Sequence, residues 1–205
     1  MRTRLFFLVI LILEIYGSIA FHRPLVLVTK PLLMPMLMYL AWQEGVSSRL
    51  YFAALFFSFL GDVFLMFDGW FIPGLVSFLL AHVSYIILFR KEYRFSFLAI
   101  LLFALFTSGF LVFLYPSIPA EMQVPVVIYC IAITLMGIYA ASRNTPSRAS
   151  YGYILAGAVL FIVSDALIAV NRFYTDIPHD ALYIMTTYGA AQYLILEGWL
   201  RKDSL

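Results

Sequence analysis

The residues able to do chemistry are few, and each lies inside apolar sequence. Asp165 sits deep in Gly157-Ala158-Val159-Leu160-Phe161-Ile162-Val163-Ser164-Asp165-Ala166-Leu167-Ile168-Ala169. A charge at that depth of a bilayer is costly and must face a cavity or a partner. A packing aspartate bonded to neighbouring hydroxyls is the bland account. A functional carboxylate is the stronger one, because ionisable groups inside a membrane mark sites of chemistry. Asp62 stands in similar surroundings, in Phe57-Ser58-Phe59-Leu60-Gly61-Asp62. Lys30, His82, Tyr85 and Gln192 complete the set, so that two carboxylates, an ammonium, an imidazole, a phenol and an amide can meet inside the lipid layer. Groups of these types suit the handling of a proton or of a polar substrate.

The elements that must position them follow from composition. The chain of 205 residues is 64% hydrophobic and only 12% charged, with a mean hydropathy of +0.97. A soluble domain is near half apolar. The composition therefore implies an all-α, polytopic transmembrane bundle, read as one membrane domain over residues 1–205. A span needs about 20 apolar residues, and eight candidates are expected: 5–20, 25–43, 50–67, 70–89, 95–114, 123–141, 151–171 and 181–199. Gly45, Gly69, Pro116, Pro119 and Pro146 fall at or beside the breaks, where turns require them. The single cysteine, Cys130, excludes an internal disulfide.

Basic residues favour the cytoplasmic side. Eight spans put both termini on one side, together with Arg2, Arg4, Arg49, Arg90, Lys91, Arg94, Arg143, Arg148, Arg201 and Lys202. The other side has Arg23 and Arg172. Both termini are thus expected in the cytoplasm, which for a bacterium means the inner membrane. Met1-Arg2-Thr3-Arg4, Leu5 to Leu13 and Ser18-Ile19-Ala20 imitate a secretory signal. An uncleaved first helix is the reading adopted, and cleavage would leave seven spans in the same orientation. Lys202-Asp203-Ser204-Leu205 has some likeness to an endoplasmic-reticulum retrieval tail but departs from it at Ser204.

Measured along their spans, Asp62 and Asp165 lie at nearly the same fraction of the third and seventh, and Lys30 reaches a similar level in the second. Leu160-Phe161-Ile162-Val163-Ser164-Asp165 can be laid on the segment ending at Asp62, which suggests a parallel four-helix repeat. Pro31 and Pro35 follow Lys30 closely, and a helix broken by prolines is tolerated where it lines a cavity. Lys30 reads equally as a site residue or a counter-ion, and Gln192 more readily as glue between helices than as a ligand. Glu14 reads as lipid-facing or helix-pairing, and Glu197 as solvated. Asp68, Asp176, His179 and Asp180 lie in loops without metal-ligand spacing. No metal, cofactor or nucleic-acid partner is expected.

The ordered motifs resemble the YhhN family, whose characterised members are lysoplasmalogenases. Lys30-Pro31-Leu32-Leu33-Met34 resembles the family's Lys-Pro helix, and Phe59-Leu60-Gly61-Asp62-Val63-Phe64-Leu65 its Gly-Asp helix. Phe78-Leu79-Leu80-Ala81-His82-Val83-Ser84-Tyr85 resembles its His-Tyr motif, and Gly157 to Asp165 its Ser-Asp helix. Tyr188-Gly189-Ala190-Ala191-Gln192-Tyr193-Leu194-Ile195 resembles its last motif, with Gly189 where a second aromatic is common. The resemblance implies hydrolysis of the vinyl ether of a lysophospholipid, with the bilayer and that lipid as partners. Such hydrolysis needs an acid, which protonates the alkenyl carbon, and a carboxylate that stabilises the resulting cation or activates water, as in glycoside hydrolysis. Asp62 and Asp165 would be this catalytic pair in either order, with Lys30 on the lipid phosphate or tuning the pair. His82, Tyr85 and Gln192 would orient substrate or water. A transporter or lipid-binding protein with an Asp/Lys relay is the alternative. An intramembrane aspartyl protease would need glycine at position 59, where the chain has Phe59.

Overall fold

The computed structural model describes residues 2–202; the retrieval-like tail beyond Lys202 lies outside them. Among the described residues there are eight α-helices and no strand: α1 (Arg2–Ile19), α2 (Arg23–Gln43), α3 (Arg49–Phe64), α4 (Phe71–Phe89), α5 (Phe97–Leu114), α6 (Ala120–Ala141), α7 (Arg148–Phe173) and α8 (Asp180–Leu200). Every expected span corresponds to one of them. Serine hydroxyls start three of the helices. Ser48, Ser96 and Ser147 each accept from the backbone N–H three residues on, so a donor that the helix cannot satisfy itself is not left bare.

Five helices, α2, α4, α5, α6 and α7, are long and apolar enough to cross a membrane, α4 and α5 with the short turns that follow them. The chain is a multi-pass membrane protein. The other three fall outside that criterion for different reasons. The α3 helix has 16 residues, α1 carries Arg2, Arg4 and Glu14, and α8 is diluted by Thr186, Thr187, Gln192 and Glu197.

Helix neighbours close a ring in the order α1, α2, α3, α4, α6, α7, α8 and back to α1, while α5 packs chiefly on α6 from outside. Only Ala99 and Leu114 of α5 are buried, and Val112 is 74% exposed, as suits a helix bathed in hydrocarbon. One polar tie, Thr134 Oγ1 to Thr107 Oγ1 at 2.7 Å, holds it to α6. The tightest seam joins α7 to α8. A Cβ on Gly157 would stand 2.8 Å from the Ala191 carbonyl oxygen, so only glycine allows this approach.

Two readings change. Pro31 and Pro35 do not break α2, which runs continuously from Arg23 to Gln43. Each proline removes one N–H, but the surrounding turns retain theirs. Glu197 is not solvated. It is 4% exposed, takes Arg4 Nε at 2.6 Å and pairs with Arg201 one turn on. On the same face Arg4 also reaches Glu44 at 2.8 Å, and buried Arg143 reaches Glu92 at 2.6 Å. These pairs tie the ends of α1, α2, α4, α6 and α8 together on the side that carries the termini.

Candidate active site

Asp165 lies on α7, about 12 Å from its Phe173 end. Its side chain is 9% exposed. Tyr129 of α6 donates its hydroxyl to Asp165 Oδ2 at 2.6 Å, and His82 Nε2 of α4 lies 3.1 Å from the same oxygen. His82 Nε2 is also 2.9 Å from the Tyr129 oxygen. The one tyrosine proton is already directed at the carboxylate, so the His82–Tyr129 contact requires Nε2 to carry a proton and donate. Three helices thus meet at one carboxylate. His82 Nδ1 is buried with no partner among the described residues, which costs about 1–3 kcal/mol for a bare polar atom.

Asp62 lies in the last turn of α3 and is 3% exposed. It accepts the Tyr188 hydroxyl of α8 at 2.8 Å. The two carboxylates share no hydrogen bond among the described residues; each has its own tyrosine, and they interact only through space. The α3 helix stops at Phe64, so Asp62 is nearer its helix end than Asp165 is. The Phe161 ring links the two groups, 4.7 Å from the His82 ring and 5.5 Å from that of Tyr188. Phe78 stacks edge-on against both Phe161 and Tyr188. It is admitted by Gly61, where a Cβ would come within 2.5 Å of the Phe78 ring.

Tyr85 and Gln192 meet directly: the tyrosine hydroxyl donates to Gln192 Oε1 at 2.6 Å, and Gln192 Nε2 donates to Ser58 Oγ at 2.9 Å. Both residues are fully buried. Tyr188 and Gln192 are one turn apart on α8 and also interact. Lys30 is half-buried and forms no direct ion pair among the described residues. Its charge acts through space on Asp62 and on Glu14, which is 1% exposed. The buried Glu14 is therefore turned into the bundle, toward α2, rather than toward lipid. Among the described residues no three His, Cys, Asp or Glu side chains gather as a metal site would require.

A narrow pocket of about 70 Å³ opens beside Asp165, between α4, α5, α6 and α7. Its wall is apolar, with Phe78, Phe110, Ile133 and Ala169 prominent, and Asp165, Tyr129, Thr107 and Cys130 are the residues that bring polar atoms. Asp62, Lys30, Tyr85 and Gln192 do not line it. The arrangement sets one carboxylate, held by two donors, against the flank of an apolar space.

Tyr129 and Tyr188 are the partners that reading the chain did not single out. Tyr188 has a signal, since it precedes Gln192 by four residues and shares its helix face. Tyr129 has none, being one of 14 tyrosines on a helix with no charge beyond Glu121.

The sequence matches the YhhN family over residues 25–199. It is 34% identical over 163 residues to a Bos taurus protein named Lysoplasmalogenase TMEM86A, which covers 73% of this chain and 64% of that protein. It is 33% identical over 162 residues to human Lysoplasmalogenase TMEM86B, covering 78% and 67%. It is 30% identical over 165 residues to a Mycobacterium bovis protein named Lysoplasmalogenase, covering 76% and 62%. The chain spans roughly two thirds of the length of these relatives. No solved structure matches it. With the family's region covering most of the chain, and with relatives at 30% identity or more over about three quarters of it, the chain belongs to the YhhN family.

Proposed function

We propose that this chain hydrolyses the vinyl-ether bond of a lysoplasmalogen, releasing a fatty aldehyde and a glycerophospho-base. The observation that carries the reading is Asp165 at the flank of an apolar pocket, with Tyr129 and His82 on one of its oxygens. Relatives named lysoplasmalogenase support it. A proton is delivered to the alkenyl carbon, the cation is captured by water, and the hemiacetal collapses to aldehyde and alcohol. Water is consumed and no proton is lost overall. Two carboxyl groups of unlike surroundings suit such a reaction, since one can hold the proton while the other stays charged.

In this reading Asp165 meets the reacting carbon, and Asp62 supplies the second carboxylate, stabilising the cation through space. Lys30, flanked by Glu14 and Asp62, tunes that charge. His82 orients Asp165, and the Tyr85–Gln192–Ser58 set fixes the far wall behind Tyr188. The termini lie in the cytoplasm, in the inner membrane if the host is bacterial.

Purified protein in detergent, given lysoplasmalogen and assayed for free aldehyde, tests the proposal. Wild type is expected to turn over, with Asp165→Asn and Asp62→Asn folded but slower by about 10²–10⁴-fold. Binding without aldehyde release would favour the transporter reading, and full activity in both variants would remove the mechanism.

A further inference from the structure

The pocket beside Asp165 has a neighbour along α7. A second space of about 430 Å³ lies between α5, α6 and α7, and the two share Phe106 and Ile162 as a common wall. The second space runs toward the terminus-bearing face, past Phe103, Val159 and Leu155, with Ser96 and Tyr151 its polar lining residues. From Asp165 to Leu155 the tract follows α7 for about 15 Å. Phe103 and Ile162 rest on Gly137, where a Cβ would stand 2.5 Å from the Phe103 ring and 2.9 Å from Ile162 Cδ1.

At the opposite end the first pocket is rimmed by Phe71 and Phe173. Arg172 is exposed there, its guanidinium 5.1 Å from the centroid of the Phe71 ring. It forms no ion pair among the described residues. It stands two turns, about 10 Å, from Asp165 along α7. Guanidinium groups bind phosphate through parallel N–H donors, a geometry that a lysine cannot reproduce. Lys30 is the poorer candidate for that anion, because Glu14 and Asp62 already compete for its charge.

We propose that a single-chain phospholipid lies lengthwise along α7, its phosphate on Arg172 and the far end of its hydrocarbon chain beyond Phe106 and Ile162 in the second space. A cation at one end, a carboxylate part-way and an apolar tract beyond match such an amphiphile. The inference rests on the proposed hydrolysis for its reacting group, but the pose is a statement about binding.

Binding of saturated alkyl-ether lysolipids, which carry no vinyl ether to hydrolyse, separates the two. With wild-type protein in detergent, a hexadecyl ether should bind more tightly than an octyl ether. Val159→Trp and Leu102→Trp, each filling the second space, should weaken the hexadecyl ether about ten-fold and leave the octyl ether unchanged, as expected for displacing two or three methylenes. Arg172→Gln should weaken the phosphate-bearing lipid about ten-fold, leaving the corresponding alkylglycerol unaffected, with partial recovery in Arg172→Lys. Equal losses for both chain lengths in protein of unaltered melting temperature, or an Arg172→Gln protein that binds both headgroup forms as before, would overturn the pose. Absence of aldehyde from lysoplasmalogen, with these selectivities intact, would instead count against the hydrolysis.

Discussion

Both donors to Asp165 fall on the same oxygen, the Tyr129 hydroxyl at 2.6 Å and His82 Nε2 at 3.1 Å. The second oxygen has no partner among the described residues and is left for water or substrate. Hydrogen bonds to a charged group are worth about 1.5–3 kcal/mol. Tyr129→Phe keeps the ring and removes the hydroxyl, which is both the donor to Asp165 and the acceptor for His82 Nε2. We expect kcat to fall roughly ten- to hundred-fold with KM and melting temperature nearly unchanged. Tyr188→Phe removes the equivalent donor from Asp62, which does not line the pocket, and should cost less. Steady-state kinetics on the two variants decide the matter: a larger loss for Tyr188→Phe would move the reacting centre to Asp62. The carboxylates were legible in the chain because a charge inside an apolar run stands out. Tyr129 was not, since tyrosine is common in membrane helices for reasons of interface anchoring. Nor does a linear sequence reveal that Phe161 stands between the Asp62 and Asp165 groups, because that depends on where Gly61 lets Phe78 settle.

The helices themselves were the most legible part, because each apolar run ends at a charged or proline-bearing loop. Their mutual arrangement was less so. The α5 helix is apolar on every side, so its pattern carries no direction for packing, and its place outside the ring emerges only from contacts with α6. The seam between α7 and α8 depends on glycine at positions where an apolar run would accept anything. On Gly157 a Cβ meets backbone atoms of Ala191 and Ile195, and on Gly198 it meets those of Ile154 and Ser150. Backbone cannot step aside as a flexible side chain can. Gly157→Leu should therefore part the helices and destabilise the protein by about 1–3 kcal/mol, seen as a lower melting temperature in detergent. Gly109→Ala on α5 meets nothing within 4 Å and serves as the control, with no loss expected. Equal melting of the two would show that the seam is looser than its geometry.

At the scale of the whole molecule, charge and access point in opposite directions. The terminus-bearing face collects ten basic residues against two on the other, yet three of its acids, Glu44, Glu92 and Glu197, are already paired with them. The rule that sets orientation counts lysine and arginine rather than net charge, so this pairing does not weaken it. The pocket beside Asp165 is rimmed on the opposite face, by Phe71 and Phe173. If the termini are cytoplasmic, the proposed lipid pose sets its phosphate in the outer leaflet of that membrane. Lys91 and Asp176 are exposed on the two faces, and Cys130 is the one native thiol. In a Cys130→Ser background, Asp176→Cys should react with a membrane-impermeant maleimide in intact cells, and Lys91→Cys only after lysis. The reverse pattern would invert the molecule in its membrane and place that phosphate in the cytoplasmic leaflet.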